Sequence, residues 1–200
     1  MKQNSSTKII MSKVVLVPYR ISHVEKYHRW MNSDELRKQT ASEKLTLSEE
    51  YEMQQTWLND ENKCTFIILD KETYETSANE TESMIGDANL YLTKTEGGFI
   101  GEIGLMIAEC SFRGRGYGKE ALFGLLNYGI KNLNINKFNA IISMDNSVSI
   151  GMFFKLQFSK VSESCVFNEI TLTREVSDDF LKFLEHSIVT YIEDSTEENK

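Results

Sequence analysis

Two hundred residues, 40% of them hydrophobic, are enough for one domain with a sizeable core and too few for two. The 22 basic and 30 acidic residues give a formal net charge of −8, which argues against nucleic acid as a partner. No stretch reaches the roughly 18 apolar residues of a membrane span, and residues 1 to 13 lack the apolar core of a secretion signal. Cys64, Cys110 and Cys165 have no metal-ligand spacing, so we expect a reduced, cytoplasmic chain with no membrane contact and no metal.

Val14-Val15-Leu16-Val17, ahead of Pro18, reads as a buried first strand. His23, Val24, Tyr27, Trp30, Met31 and Leu36 fall at roughly helical spacing, giving one or two short helices. Thr46-Leu47-Ser48-Glu49 has capping-box form and opens a helix that runs through Trp57 and Leu58. A second strand, Thr65 to Leu69, and a third, Met84 to Leu92, flank polar residues 71 to 82, which read as a flexible hairpin loop. Phe99 to Glu109 is the fourth strand, and apolar residues at 121, 122, 123, 125, 126 and 130 make a broad helix face. Phe138 to Met144 is a fifth strand and Asn146 to Leu156 a short helix. Phe158 to Val161 and Val166 to Thr173 close the sheet as an antiparallel pair. Phe180, Leu181, Leu184, Ile188 and Ile192 predict a last helix behind a Ser177 cap. We expect a single domain over 1–192 and a disordered acidic tail over 193–200.

Between the fourth strand and the long helix stands Arg113-Gly114-Arg115-Gly116-Tyr117-Gly118-Lys119. Glycine lets the backbone approach a ligand, and the first-turn N–H groups of the following helix have no intrahelical partner. The helix dipole adds positive charge there, and Arg113, Arg115 and Lys119 reinforce a preference for phosphate. The dinucleotide turn G-x-G-x-x-G fails because position 119 is Lys, and G-x-x-x-x-G-K-[ST] fails at Arg113 and Glu120. The segment does fit [Q/R]-x-x-G-x-[G/A]. An ordinary glycine-rich surface turn is the plain alternative.

That pattern resembles the pyrophosphate loop of the GCN5-related N-acetyltransferase (GNAT) superfamily. Downstream, Asn146-x-x-Ser149-Ile150-x-x-Phe153-x-Lys155-Leu156-x-Phe158 resembles the same family's N-x-x-[SA]-I-x-x-Y-x-K-x-G-F segment. Longer matches, including His28-Arg29-Trp30-Met31, Thr40-Ala41-Ser42-Glu43 and Lys63-Cys64-Thr65-Phe66-Ile67, resemble the N-acetyltransferase 9-like branch. The resemblance implies an α/β (α+β) acetyltransferase fold: a mixed, mostly antiparallel sheet of about seven strands flanked by helices, with parallel strands four and five splayed apart. It implies acetyl-CoA as co-substrate, lying in the splay with its pantetheine against the backbone of Met106, Ile107 and Ala108. Residues Arg113, Gly114, Arg115, Gly116, Tyr117, Gly118 and Lys119 would hold the diphosphate, and Asn146 would cap its helix, reach the cofactor, or both. The branch is associated with protein substrates bearing a free amine, tubulin among them, and the early helices with residues 162 to 168 would wall the acceptor groove.

Acetyl transfer needs a neutral amine, and a lysine is about three pKa units worse than an α-amine, or roughly 4 kcal/mol. An N-terminal α-amine is therefore the easier acceptor. Glu102, eleven residues before Arg113, is the candidate general base, at the offset where relatives by resemblance carry a catalytic glutamate. Its plain alternative is a solvated or ion-paired strand glutamate. A strand-four backbone N–H near Ile107 would hold the oxyanion. Phe153 stands where the family pattern has the general-acid Tyr, leaving Tyr91 or Tyr117 as substitutes, or a thiolate that leaves unaided. An acetyl-CoA-binding interaction protein with little turnover, such as one that binds microtubules, is the competing reading. Glu25, Asp34, Glu35 and Glu43 either make the acceptor groove acidic or form a solvated helix face.

Overall fold

The computed structural model describes residues 2 to 195. The elements, in chain order, are β1 (Thr7–Ile10), β2 (Val14–Pro18), α1 (Val24–Met31), α2 (Asp34–Thr40), α3 (Leu47–Asn59), β3 (Lys63–Asp70), α4 (Lys71–Ser77), α5 (Glu80–Ser83) and β4 (Met84–Thr95). There follow β5 (Gly98–Ile107), α6 (Tyr117–Leu133), β6 (Ile135–Ser143), α7 (Ser147–Lys155), β7 (Ser159–Ser164), β8 (Glu169–Glu175), α8 (Asp178–Ser187) and β9 (Ile192–Ser195). The strands form one sheet in the order β7-β8-β6-β5-β4-β3-β2-β1-β9. Every neighbouring pair is antiparallel except β5–β6, which is parallel. The mixed, mostly antiparallel sheet expected from sequence is therefore present, and the fourth and fifth strands of that reading are β5 and β6.

Alternation along the central strands sorts side chains to two cores. Val14, Leu16, Cys64, Phe66, Ile68, Ala88 and Leu90 pack with α6, α7 and α8 on one face. Val15, Val17, Ile67, Leu69 and Met84 pack with α1 and Leu36 of α2 on the other. Both faces are covered, so β3 is buried along its whole length. Gln54 of α3 donates to the Tyr19 carbonyl at 3.1 Å, docking that helix beside the second core.

Four boundaries depart from the sequence expectation for local reasons. Residues 71 to 82 are two short helices, not a flexible loop: Asp70 accepts from Thr73 N at 3.0 Å and Asn79 from Glu82 N at 3.2 Å, which caps each start. His23, fully buried, reaches Glu80 at 3.0 Å and holds α5 against the body. Strand β8 begins at Glu169, because Asn168 turns left-handed at φ +55° and ends the preceding turn. Helix α8 stops at Ser187, and Ile188 is already extended. The sheet gains strands at both chain ends: β9 pairs with β1 from Ile10↔Ile192 to Thr7↔Ser195, and Lys8 meets Asp194 at 3.3 Å. A polar segment needs only its backbone groups to join an edge, so Glu193 and Asp194, expected in the disordered tail, belong to a strand. Residues 196 to 200 of that tail lie outside the described residues.

The pairing of β5 with β6 runs Phe99↔Ile135, Ile100↔Lys137, Gly101↔Phe138 and Glu102↔Asn139, then ends. β6 continues to pair with β8 through Ser143, and β5 continues with β4 through Ile107. The two parallel strands thus part beyond Glu102. Where β5 leaves, Gly86 of β4 lies so close that a Cβ would sit 1.9 Å from the Met106 carbonyl oxygen. A backbone oxygen cannot move aside as a flexible side chain does. Gly86→Ala should therefore lower stability by about 1–3 kcal/mol in urea unfolding, and an unchanged midpoint would contradict that packing.

Candidate active site

Helix α6 opens on Gly116, which adopts φ +91° and brings no side chain to cap the first turn. Gly114 is also left-handed, at φ +71°, so the loop needs glycine at both positions. Gly118 is different, because a Cβ there would meet no protein atom nearer than 3.4 Å. The fold does not demand glycine at 118, and its bare backbone suits close approach of a ligand. Together these residues form a Cβ-free cradle at the positive end of a 17-residue helix. Glu120 fixes that end to the β1–β2 turn by accepting from Ser12 N at 3.0 Å and Lys13 N at 2.8 Å.

The basic side chains of the loop behave differently from one another. Arg113 turns inward: Nε donates to the Ile107 carbonyl at 2.8 Å, Nη2 to the Ala108 carbonyl at 3.3 Å, and Nη1 to Glu35 of α2 at 3.0 Å. It staples the end of β5 rather than offering a free guanidinium. Arg115 donates to the Ser111 carbonyl at 3.2 Å and lies over the rings of Phe112 and Tyr117. Lys119 lies over Phe123, 5.3 Å from its centroid. Tyr117 packs edge-on against Phe112.

Of the backbone expected to face pantetheine, the Ala108 amide donates to the Ile85 carbonyl at 2.8 Å. Met106 and Ile107 lie in the part of β5 beyond its last pairing with β6. The space between the parted strands is a cleft of about 690 Å³. Its walls come from the α2–α3 connection, including Glu43, from α7, and from Phe167 and Asn168 of the β7–β8 turn. Lys38 of α2 meets Asp145, before α7, at 3.7 Å across the mouth. Asn146 caps α7 by accepting from Ser149 N at 3.1 Å and also lines the cleft. Phe153 lines it as a buried ring held edge-on by Phe158, with no hydroxyl to offer. Of the two alternative tyrosines, Tyr91 borders the cleft; its hydroxyl is pushed up to about 12 by burial and by Asp87 and Glu102, so it stays protonated.

Glu102 is half-buried and borders the cleft, opposite Tyr91 in the β4–β5 register. It shares its face with Gly104 and Met106, as alternation predicts, while Ile103, Leu105 and Ile107 join the α6 core. Of the acidic residues considered for the groove, Glu43 lines it, Glu35 is paired with Arg113, and Asp34 is bound to Arg37.

The sequence reading missed a buried polar cluster on this face. Lys63 and Thr65 of β3 and Asp87 and Asn89 of β4 are buried, with the exposed Tyr91 beside them, on the face that carries Ile67, Leu69 and, past a register shift, Met84. Thr65 donates to Asn89 at 2.7 Å and Asn89 to Asp87 at 2.5 Å. Lys63 lies between the rings of Trp57 and Tyr91, at 3.5 and 3.7 Å from their centroids. Burial pulls its ammonium down to about 8 against the pull of Asp87 and Asp60. The signal was available: Asp87-x-Asn89-x-Tyr91 puts three polar groups on one face of a strand whose other face is Ala88, Leu90 and Leu92.

Burial raises the Asp87 carboxyl to about 6 despite hydrogen bonds from Asn89 and Tyr27 and the charge of Lys63. The folded state therefore holds this proton more tightly than the unfolded chain, whose value is near 3.8. The associated stability is full below pH 4 and lost as pH rises through about 6. Relative to Asp87→Asn, the wild type should lose on the order of 2 kcal/mol between about pH 4 and pH 7 in urea unfolding. Parallel stability profiles for the two proteins would contradict this.

Comparison with known proteins agrees with the geometry. The family model described as an acetyltransferase (GNAT) domain matches residues 13–159. An N-acetyltransferase 9-like protein of Nematostella vectensis is 53% identical over 173 residues, covering 86% of this chain and 87% of its own. The human protein named alpha/beta-tubulin-N-acetyltransferase 9 is 49% identical, covering 89% of this chain and 87% of its own. Among solved structures, spermidine N-acetyltransferase from Vibrio cholerae, in complex with CoA and spermine, superposes with a TM-score of 0.71 at 15% identity, covering 84% of this chain and 98% of that one. The chain belongs to the GNAT acetyltransferase family and, within it, to the N-acetyltransferase 9-like branch.

Proposed function

We propose that this chain transfers the acetyl group of acetyl-CoA to a polypeptide amine, an N-terminal α-amine in the first instance, by direct attack in a ternary complex. One observation carries the reading: β5 and β6 part immediately after Glu102, in front of a helix whose glycine N-terminus has no side-chain cap. When bound, acetyl-CoA supplies an activated acyl group with a thiolate leaving group. The chain's residues do the rest. Amides of residues 114 to 119 take the diphosphate, with Arg115 and Lys119 adding charge and Arg113 acting through the strand end it holds. The backbone of Met106 and Ile107, no longer paired with β6, takes the thioester end of the pantetheine, with the Ile107 amide as the donor for the carbonyl oxygen. Ala108 contributes less than the sequence pattern implies, since its amide already has a partner. Asn146 orders α7 along the opposite wall, and Glu102 serves as general base.

Relatives in mouse, human and fly are named alpha/beta-tubulin-N-acetyltransferase 9, which makes the tubulin N-termini the first acceptors to try and the cytoplasm the expected compartment. The open cleft, walled by two loops, favours a chain terminus over a small closed-in amine. The second reading, a cofactor-binding interaction protein with little turnover, draws on Phe153, which cannot protonate a departing thiolate. Tyr91, protonated and on the cleft, is the group that would serve instead.

Thiol release from acetyl-CoA across a panel of N-terminal peptides tests the proposal. We expect turnover with tubulin N-terminal peptides, a loss of about 10²-fold or more in Glu102→Gln, and a raised KM for acetyl-CoA in Arg115→Ala. Thermal stabilisation by acetyl-CoA without turnover would favour the interaction protein. Full activity in Glu102→Gln would remove the base assignment.

A further inference from the structure

A second carboxylate stands closer than Glu102 to where the proposed thioester would lie. Asp87 is opposite Met106 in the β4–β5 register, whereas Glu102 is opposite Tyr91. Four residues separate Met106 from Glu102, about 13 Å along a strand at its usual rise. The Ile107 amide is the donor proposed for the thioester carbonyl oxygen, and Gly86 and Asp87 stand opposite Ile107 and Met106, so the thioester is level with Asp87. Asp87 is only 3% exposed yet lines the cleft. Gly104 sits opposite Asn89 on the same face, and a Cβ there would meet nothing nearer than 3.4 Å. Packing does not require glycine at 104, and its absent side chain leaves the Asp87–Asn89 pair open to the cleft.

An independent feature points to a cationic ligand. Glu50 of α3 is 1% exposed and lines the same cleft, and its Oε2 accepts no hydrogen bond from any described residue. Its Oε1 stands 3.8 Å from His28 Nδ1. Glu50 and Asp87 both raise the hydroxyls of Tyr19 and Tyr27, after burial itself, so both carboxylates surround one pair of rings whose centroids are 5.2 Å apart. A buried carboxylate with an unfilled oxygen is costly unless a cation arrives to meet it. The other charged or titratable groups facing this space are Lys63 from β3, Tyr91 from β4, Glu102 from β5, Lys38 of α2, Glu43 after it, and Glu169 of β8.

We propose that Asp87 and Glu50 form the subsite for the acceptor's ammonium group and that Asp87 takes the first proton from it. The inference rests on the acetyl-transfer reading and adds a catalytic residue to it. The ammonium gives one proton to the Asp87 carboxylate. Its freed lone pair forms the C–N bond to the thioester carbonyl carbon as the C–S bond breaks. A second proton leaves the nitrogen to Glu102 and is passed on to the thiolate, giving thiol and amide, and Asp87 returns its proton to solvent. Tyr27 holds Asp87 through its hydroxyl and is a positioning residue.

The test measures acetylation of a tubulin N-terminal peptide against pH, with calorimetric titration of the same peptide onto the CoA-bound protein. Asp87→Asn should lower kcat/KM by about 10²–10⁴-fold, remove the acid limb near pH 6, and leave CoA affinity unchanged. Tyr27→Phe should keep most activity and move that limb upward, because a hydrogen bond to the charged form is lost. Glu50→Gln should weaken peptide binding about tenfold or more. Wild-type kcat/KM and an unmoved acid limb in Asp87→Asn would overturn the inference alone. Should Asp87→Asn fail to fold, an unmoved limb in Tyr27→Phe would overturn it instead. A wild type that neither acetylates nor binds the peptide overturns the acetyl-transfer reading and this inference together.

Discussion

Beyond Glu102 and Asn139 two parallel strands stop pairing, and most of the site follows from that break. Unpaired backbone N–H and C=O groups inside a domain are costly unless something meets them. Each strand stays anchored on its far side, β5 by β4 and β6 by β8, so the gap cannot close by sliding one strand toward the other. Arg113 reinforces the arrangement by gripping the Ile107 and Ala108 carbonyls while paired with Glu35, which ties the end of β5 to α2. A rigid, partly unpaired edge is thereby held open at the foot of a helix dipole.

The two faces of the sheet serve different ends. The α6 face is apolar and accounts for the larger core. The opposite face begins apolar at β2 and turns polar near the splay, where Lys63, Thr65, Asp87, Asn89 and Glu102 replace the aliphatic residues of the neighbouring positions. Burying that many polar groups costs stability that hydrophobic residues would have supplied. Concentrating them beside the cleft is the pattern expected where activity, rather than packing, selects the residues.

Local chemistry made much of this legible in the sequence. Thr46, Ser177 and Asn146 accept from the amides three residues on, as their cap spacing predicts. Gly114 and Gly116 have the positive φ that their loop pattern implies. Asp70 and Asn79 carried the same kind of signal for α4 and α5, but the polarity of residues 71 to 82 masked it. The inward turn of Arg113 was not readable, because its partner Glu35 lies 78 residues away. The polar cluster was readable as alternation on β4, yet its meaning depends on Tyr27, Glu50 and Lys63, brought by three other elements. Pairing of β9 with β1 joins the two ends of the chain and has no local pattern at all.

The central claim is that coenzyme A occupies the gap between β5 and β6 with its diphosphate on the start of α6. Amide hydrogen exchange with and without CoA tests it most directly, residue by residue. The account predicts slowed exchange at Met106 and Ile107 and across residues 114 to 119, with β1 to β3 unchanged. Absence of protection at residues 114 to 119 under saturating CoA, or protection confined to another face, would contradict it.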